Sequence, residues 1–200
     1  MIDYRTPLNP NNYYHIFNHA VGKENLFVEN KNYLFFLNKF EKYLADIVDV
    51  LSYCLMPNHF HLLIRVKENV NEDENINLNC QTPSKVSDSS IAFKKLFTSY
   101  TNSFNKVYNR RGSLFQPRYK RLLINDNVHL LNTIIYIHNN PVLHGFVKNN
   151  TDWLHSSYNI IIENNKIQWL KSDEVIGLFD NVSNFIFCHN KVLDLDQIEH

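Results

Sequence analysis

"VDVLSYCLMPNHFHLLIRV", residues 48–66, decides how this chain folds. Its two halves are apolar runs of strand length, and Pro57-Asn58 between them is a turn signal. The stretch therefore reads as a hairpin of strands over 48–56 and 59–66. Within the second strand, His59 and His61 flank Phe60. Alternate residues of a strand share a face, so the two imidazoles project together while Phe60 points to the other side. Two imidazoles so placed can hold one divalent cation, and they can equally be two hydrogen-bonded core histidines. The His-x-His spacing does not choose between these readings.

Around the hairpin, "NYYHIFNHAV" (12–21) alternates and is aromatic-rich, as a first strand would be. "NKNYLFFLNKFEKYLADI" (30–47) and "SIAFKKLFTSYTNSFNKVYN" (90–109) carry apolar residues at helical spacing. "YKRLLI" (119–124) is a short strand. "NDNVHLLNTIIYIHNNP" begins with Asn/Asp capping candidates and should end as a helix at Asn140, because the residue before a proline avoids helical angles. The polar stretch 68–90 reads as a mobile insertion. "SDEVIGLF" in the tail reads as a short capped helix. The order β-α-β-β-α-β-α predicts an α+β fold, a ferredoxin-like antiparallel sheet with helices on its face. A main domain over residues 1–160 followed by a helical extension over 161–200 is expected.

Composition bounds the function. A chain of 200 residues, 44% hydrophobic and 14% aromatic, is globular. No apolar run approaches the roughly 20 residues that span a bilayer, and "MIDYRTPLNPNNYYHIF" has no signal-peptide core, so a cytoplasmic protein without membrane partners is expected. Cys54, Cys80 and Cys188 form no CxxC pair or disulfide framework. Lys plus Arg and Asp plus Glu number 20 each, which gives a net charge of zero. The average conceals "KVYNRRGSLFQPRYKR" (106–121), which has no acidic residue. Arg110, Arg111, Arg118, Lys120 and Arg121 could meet phosphates there, and Phe115 or Tyr119 could stack on an unpaired base. The other reading of this block is an ordinary solvated loop.

In "IIYIHNNPV" (134–142), Tyr136 and Asn140 stand one helical turn apart on one face. A tyrosine with a pKa of about 10 is a poor base at neutral pH, but its phenol can attack a phosphate that a metal has polarised. Packing with a capping amide explains the same two residues. His138 would point away from Tyr136, His19 follows the first strand, and His15 reads as structural.

These segments together suggest a family. "MPNHFHLLI" resembles the HUH motif (His, hydrophobic residue, His) of the single-tyrosine transposases. "GSLFQPRYKRLLI", "YIHNNPVLHGFV" and "DWLHSSY" (152–158) resemble, in order, segments of their REP-associated branch. The resemblance runs from about Tyr13 to Tyr158. It implies an HUH endonuclease fold and the cutting and rejoining of single-stranded, hairpin-bearing DNA. It also implies Mg²⁺ or Mn²⁺ on His59 and His61 with Asn140 completing the site, and Tyr136 as the nucleophile that forms a 5′-phosphotyrosine. No nucleotide cofactor is implied, and no GxxxxGK[ST] loop is present. A homodimer is compatible with the resemblance. Cation binding should fail as unperturbed imidazoles protonate, below about pH 6. The alternatives are a catalytically inactive or domesticated hairpin-binding protein, and another HUH enzyme such as a replication initiator or relaxase.

Overall fold

The computed structural model describes residues 6–68 and 88–191. Cys80, most of the expected insertion and the end of the tail lie outside the described residues.

Eleven elements follow one another in the described chain: β1 (Tyr13–His19), α1 (Asn30–Leu44), β2 (Val48–Met56), β3 (His59–Val66), α2 (Asp88–Val107), β4 (Lys120–Ile124), α3 (Asn127–Leu143), a 3₁₀ turn (Asn150–Asp152), α4 (Tyr158–Ile162), α5 (Ser172–Leu178) and α6 (Val182–His189). The four strands form one antiparallel sheet in the order β2-β3-β1-β4. This is the ferredoxin-like arrangement expected from the element order.

Every residue of β2 is buried, and β3 is buried except at Arg65. An antiparallel strand with near-continuous apolar sequence needs cover on both faces, and this sheet has it. On one face, Phe60 meets Phe36 of α1 at 5.4 Å and Phe97 of α2 at 5.7 Å between ring centroids. Phe60 therefore belongs to the core, as strand alternation requires. α3 covers the opposite face, which carries His59 and His61.

The outer edge of β2 is not left open. Leu55 N–H donates to His155 O at 2.9 Å, and Ser157 N–H donates to Tyr53 O at 3.0 Å. Further along, Val50 N–H donates to Trp169 O at 2.9 Å and Lys171 N–H donates to Val50 O at 2.8 Å. These segments satisfy backbone groups that would otherwise invite pairing with another chain. They also fasten the residues after 160 to the sheet.

α3 begins as its sequence suggests: the Asp126 carboxylate caps it by accepting from His129 N–H at 2.8 Å. Its end differs from expectation. The helix runs through Pro141 to Leu143. Gly145, at φ +71°, then reverses the chain. Its N–H donates to Val142 O at 3.0 Å, and Phe146 N–H donates to Pro141 O at 2.9 Å. That bond pair is a Schellman stop. The glycine ends the helix, and the proline is absorbed in its last turns.

Candidate active site

Strand register assembles the site. β1 and β3 pair so that Phe17 opposes His61 and His19 opposes His59. Directly opposed side chains on one face of an antiparallel pair are neighbours. Accordingly the His19 ring stacks on His59 at 4.9 Å, and Phe17 stacks on His61 at 5.6 Å. His15 lies on the same face, diagonal to His61, and its Nε2 is 2.9 Å from His61 Nδ1. The two strands thus bring four imidazoles together.

α3 supplies the opposite wall. The Tyr136 ring stands edge-on to His61 at 5.5 Å and to His15 at 6.0 Å. One turn later, Asn140 Oδ1 lies 3.0 Å from His59 Nε2. After another turn, His144 reaches the His59 ring at 5.3 Å. His59, His61, Tyr136 and Asn140 therefore meet between β3 and α3 within one chain, all four of them buried. His138 points away from that cluster, as helical geometry requires. Its Nε2 is 2.7 Å from Ser157 Oγ and its Nδ1 is 2.9 Å from His189 Nε2.

Burial keeps the imidazoles neutral. Desolvation lowers His59 to about 4, with the Asn140 bond opposing it and His19 and His144 adding to it. Burial, then the other imidazoles, hold His61 well below its ordinary value. Burial lowers His15 to about 3. With these shifts the imidazoles stay neutral below the pH 6 at which free imidazoles protonate, so any cation they held would be retained to lower pH.

The donor set fits a hard divalent ion bound loosely. A neutral His59 has one N–H but faces two amide oxygens, Asn58 Oδ1 at 2.8 Å from Nδ1 and Asn140 Oδ1 at 3.0 Å from Nε2. One of these contacts therefore has no proton to share. If Nδ1–H donates to Asn58, His59 Nε2 is a lone pair, which either the Asn140 Nδ2–H of a turned amide or a cation shared with the amide oxygen would satisfy. Asn140 Nδ2 is buried without a hydrogen-bond partner among the described residues. No group of three His, Cys, Asp or Glu side chains suited to a metal occurs among the described residues. The candidate ligands are two imidazoles and an amide, which carry no charge.

The basic block divides. Arg111 and Arg118 are exposed before β4, and Lys120 is exposed at its first residue. Lys120 opposes Phe17 across the β1–β4 pairing and places its ammonium 5.4 Å over that ring, next to the imidazoles. Arg110 is turned inward: it donates to Asn105 Oδ1 at 2.9 Å and Ser113 O at 2.8 Å and pairs with Glu24 at 3.2 Å. Arg121 lies over the Tyr119 ring at 5.2 Å and donates to Ser90 Oγ at 3.3 Å. Tyr119 packs between Phe93 at 5.1 Å and Phe97 at 5.5 Å. Phe115 is buried among Phe36, Phe60 and Phe97.

Comparison with known proteins bears on this arrangement. No family model matches the chain. A curated protein of Haemophilus influenzae, named for the REP-associated tyrosine transposases, is 30% identical over 112 residues, covering 55% of this chain. The match spans 58% of that relative's length. The solved structure of a REP-associated tyrosine transposase bound to a REP hairpin superposes with a TM-score of 0.62 at 17% identity. That superposition covers 84% of this chain and 90% of the other. The chain has the fold of the REP-associated tyrosine transposases.

Within this fold, two residues beside the candidate site go beyond the sequence reading: it does not single out His144, and it reads His15 only as structural. His144 continues the series Tyr136, Asn140, His144 at four-residue spacing. A helix read to its glycine stop, and not to its proline, would have shown it. His15 shares a strand face with His19, but only the β1–β3 register shows that this face also holds His61. No helix of the described residues is long and apolar enough to cross a membrane.

Proposed function

We propose that this chain is an HUH-type, metal-dependent single-stranded DNA endonuclease and strand transferase, acting on hairpin-bearing DNA through a 5′-phosphotyrosine. The observation that carries this reading is the meeting of Tyr136 with His61 between α3 and the sheet, beside the His59–Asn140 pair. The resemblance to a transposase solved with a REP hairpin supports hairpin DNA as the substrate class.

His59, His61 and Asn140 would hold Mg²⁺ or Mn²⁺. The bound ion supplies Lewis acidity at a non-bridging phosphate oxygen. The Tyr136 oxygen attacks the scissile phosphorus, the P–O3′ bond breaks, and the proton lost by the phenol is balanced by the one gained at the 3′-hydroxyl. The 5′-phosphate stays on Tyr136 as a diester. Attack by a 3′-hydroxyl reverses the step and reseals the strand, so ester energy is retained and no nucleotide cofactor is required. Arg111, Arg118 and Lys120 lie where they can receive the phosphates of a strand entering along edge strand β4. Tyr136 and the histidines belong to one chain, so chemistry does not require a partner subunit to donate the tyrosine.

A labelled hairpin oligonucleotide with Mg²⁺ tests the reading. A covalent protein–DNA band on a denaturing gel is expected from the wild type and not from Tyr136→Phe. An adduct persisting in that variant removes Tyr136 as nucleophile. Hairpin binding without any adduct, indifferent to chelator, favours a non-catalytic DNA-binding protein.

A further inference from the structure

His61 has two ring nitrogens with different surroundings. Nδ1 faces His15 Nε2 at 2.9 Å. Nε2 is the nitrogen left for a ligand. Two nitrogens this close share one proton, because two N–H groups or two lone pairs facing each other repel. The proton can sit on either ring, and the choice decides whether His61 Nε2 carries a proton or a lone pair. If His15 donates, His61 carries its own proton on Nε2 and cannot offer a lone pair there. If His61 donates, Nε2 is a free base.

We infer that His15 is a positioning residue whose Nε2 accepts the Nδ1–H of His61, fixing the tautomer that leaves His61 Nε2 as the donor to a divalent cation. The inference rests on the ligand role given to His61 above. The surroundings suit it. Both residues are buried, His15 at 4% and His61 at 5% exposure, so water does not compete for the shared proton. Phe17 lies 4.8 Å from the His15 ring and 5.6 Å from the His61 ring, which restricts rotation of either. A metal-bound histidine ordinarily gives its other N–H to an acceptor that orients the ring. Here the acceptor is a neutral imidazole, so it aims the ligand without adding charge to an uncharged donor set.

Two measurements test this on the full chain. The first uses the metal-free wild type, with long-range proton–nitrogen correlation spectra and His61→Gln to assign the signal. Protonated Nδ1 and unprotonated Nε2 on His61 are expected, and the opposite tautomer overturns the inference. The second is Mn²⁺ affinity by electron paramagnetic resonance. His15→Phe removes the acceptor and should weaken binding by about 10- to 100-fold. His15→Gln restores an acceptor oxygen and should recover most of that loss. Unchanged affinity in His15→Phe, or equal loss in both variants with the fold intact by circular dichroism, overturns the positioning role. A wild type with the expected tautomer but no Mn²⁺ uptake overturns the cation reading and supports the His15–His61 bond direction.

Discussion

His59 Nε2 and Asn140 Oδ1 lie 3.0 Å apart, joining the middle of the sheet to the tyrosine helix. They come from β3 and α3, 81 residues apart in the chain. Whether this contact is only a bridge between elements or the edge of a cation site can be separated by substitution. Asn140→Asp places a charge opposite His59 and should tighten Mn²⁺ binding by about tenfold, since ligand charge count sets affinity for hard cations. The same change buries a carboxylate and should destabilise the metal-free protein until Mn²⁺ is added. A simple bridge would show the same metal-free melt and no recovery when Mn²⁺ is added. Thermal melts with and without Mn²⁺ distinguish the two.

Acid should unfold this protein in a defined window. Burial lowers His15 to about 3 and His59 to about 4, and puts His61 and His138 well below their ordinary value. Burial likewise lowers His189 to about 4, partly opposed by its bond to Phe185 O. In the unfolded chain these groups titrate near 6.5, so the unfolded state takes up protons first as pH falls. Their stabilising contribution is complete above about 6.5 and is lost as pH drops toward 4. A fall from 6.5 to 4 is on the order of 3 kcal/mol for one such group. Several together exceed the net stability of a typical domain. The urea midpoint should hold above pH 7 and collapse between pH 6 and pH 4.5. A midpoint unchanged down to pH 4.5 would contradict the buried neutral state.

The "HSSY" segment has a structural task that its sequence did not disclose. Hydrogen bonds run in one direction through it. His189 Nδ1–H donates to Phe185 O at 2.7 Å, so His189 Nε2 must accept from His138 Nδ1–H at 2.9 Å. His138 Nε2 then accepts from the Ser157 hydroxyl at 2.7 Å, and Ser157 Oγ accepts from Tyr53 N–H at 2.9 Å. This relay ties α6, α3 and β2 together behind Tyr136. Ser157→Ala leaves His138 Nε2 and Tyr53 N–H unsatisfied in the interior. Each such group costs about 1–3 kcal/mol, so a loss of about 2–6 kcal/mol is expected in urea unfolding. Ser157→Thr keeps the hydroxyl and should lose less. Equal loss in both variants would point to packing, not to the hydrogen bond.

The hairpin over 48–66 was legible because its periodicity and its Pro-Asn turn agree, and local signals decide local structure. Phe60 could be assigned to the opposite face for the same reason. The pairing of His15 with His61 was not legible, since it depends on strand register, which tertiary packing sets. The end of α3 was misjudged because two stop signals stand four residues apart. Pro141 weakens the helix, but Gly145 satisfies its last carbonyls, and the satisfied carbonyls win. The fate of the arginines was hidden too, because charge in a sequence does not say whether a guanidinium faces solvent or a carbonyl.

Salt dependence of DNA binding should sort those cations. A phosphate contact releases counterions, so each contact adds about 0.7 to 0.9 to the slope of log K against log salt. Arg111, Arg118 and Lys120 are exposed along the approach to β4. Replacing any one with Ala should reduce the slope by about one contact and weaken hairpin binding, with little effect on stability. Arg110 should behave in the opposite way. Its side chain is only 15% exposed and is committed to Glu24, Asn105 and Ser113. Arg110→Ala should cost about 1–3 kcal/mol of stability while leaving the slope unchanged. Because the chain's net charge is zero, the proposed hairpin affinity would have to come from a local basic face and not from the overall field. A slope unaffected by all three exposed variants would move the DNA path away from β4, and a slope lowered by Arg110→Ala would mean that the guanidinium leaves its loop to meet the strand.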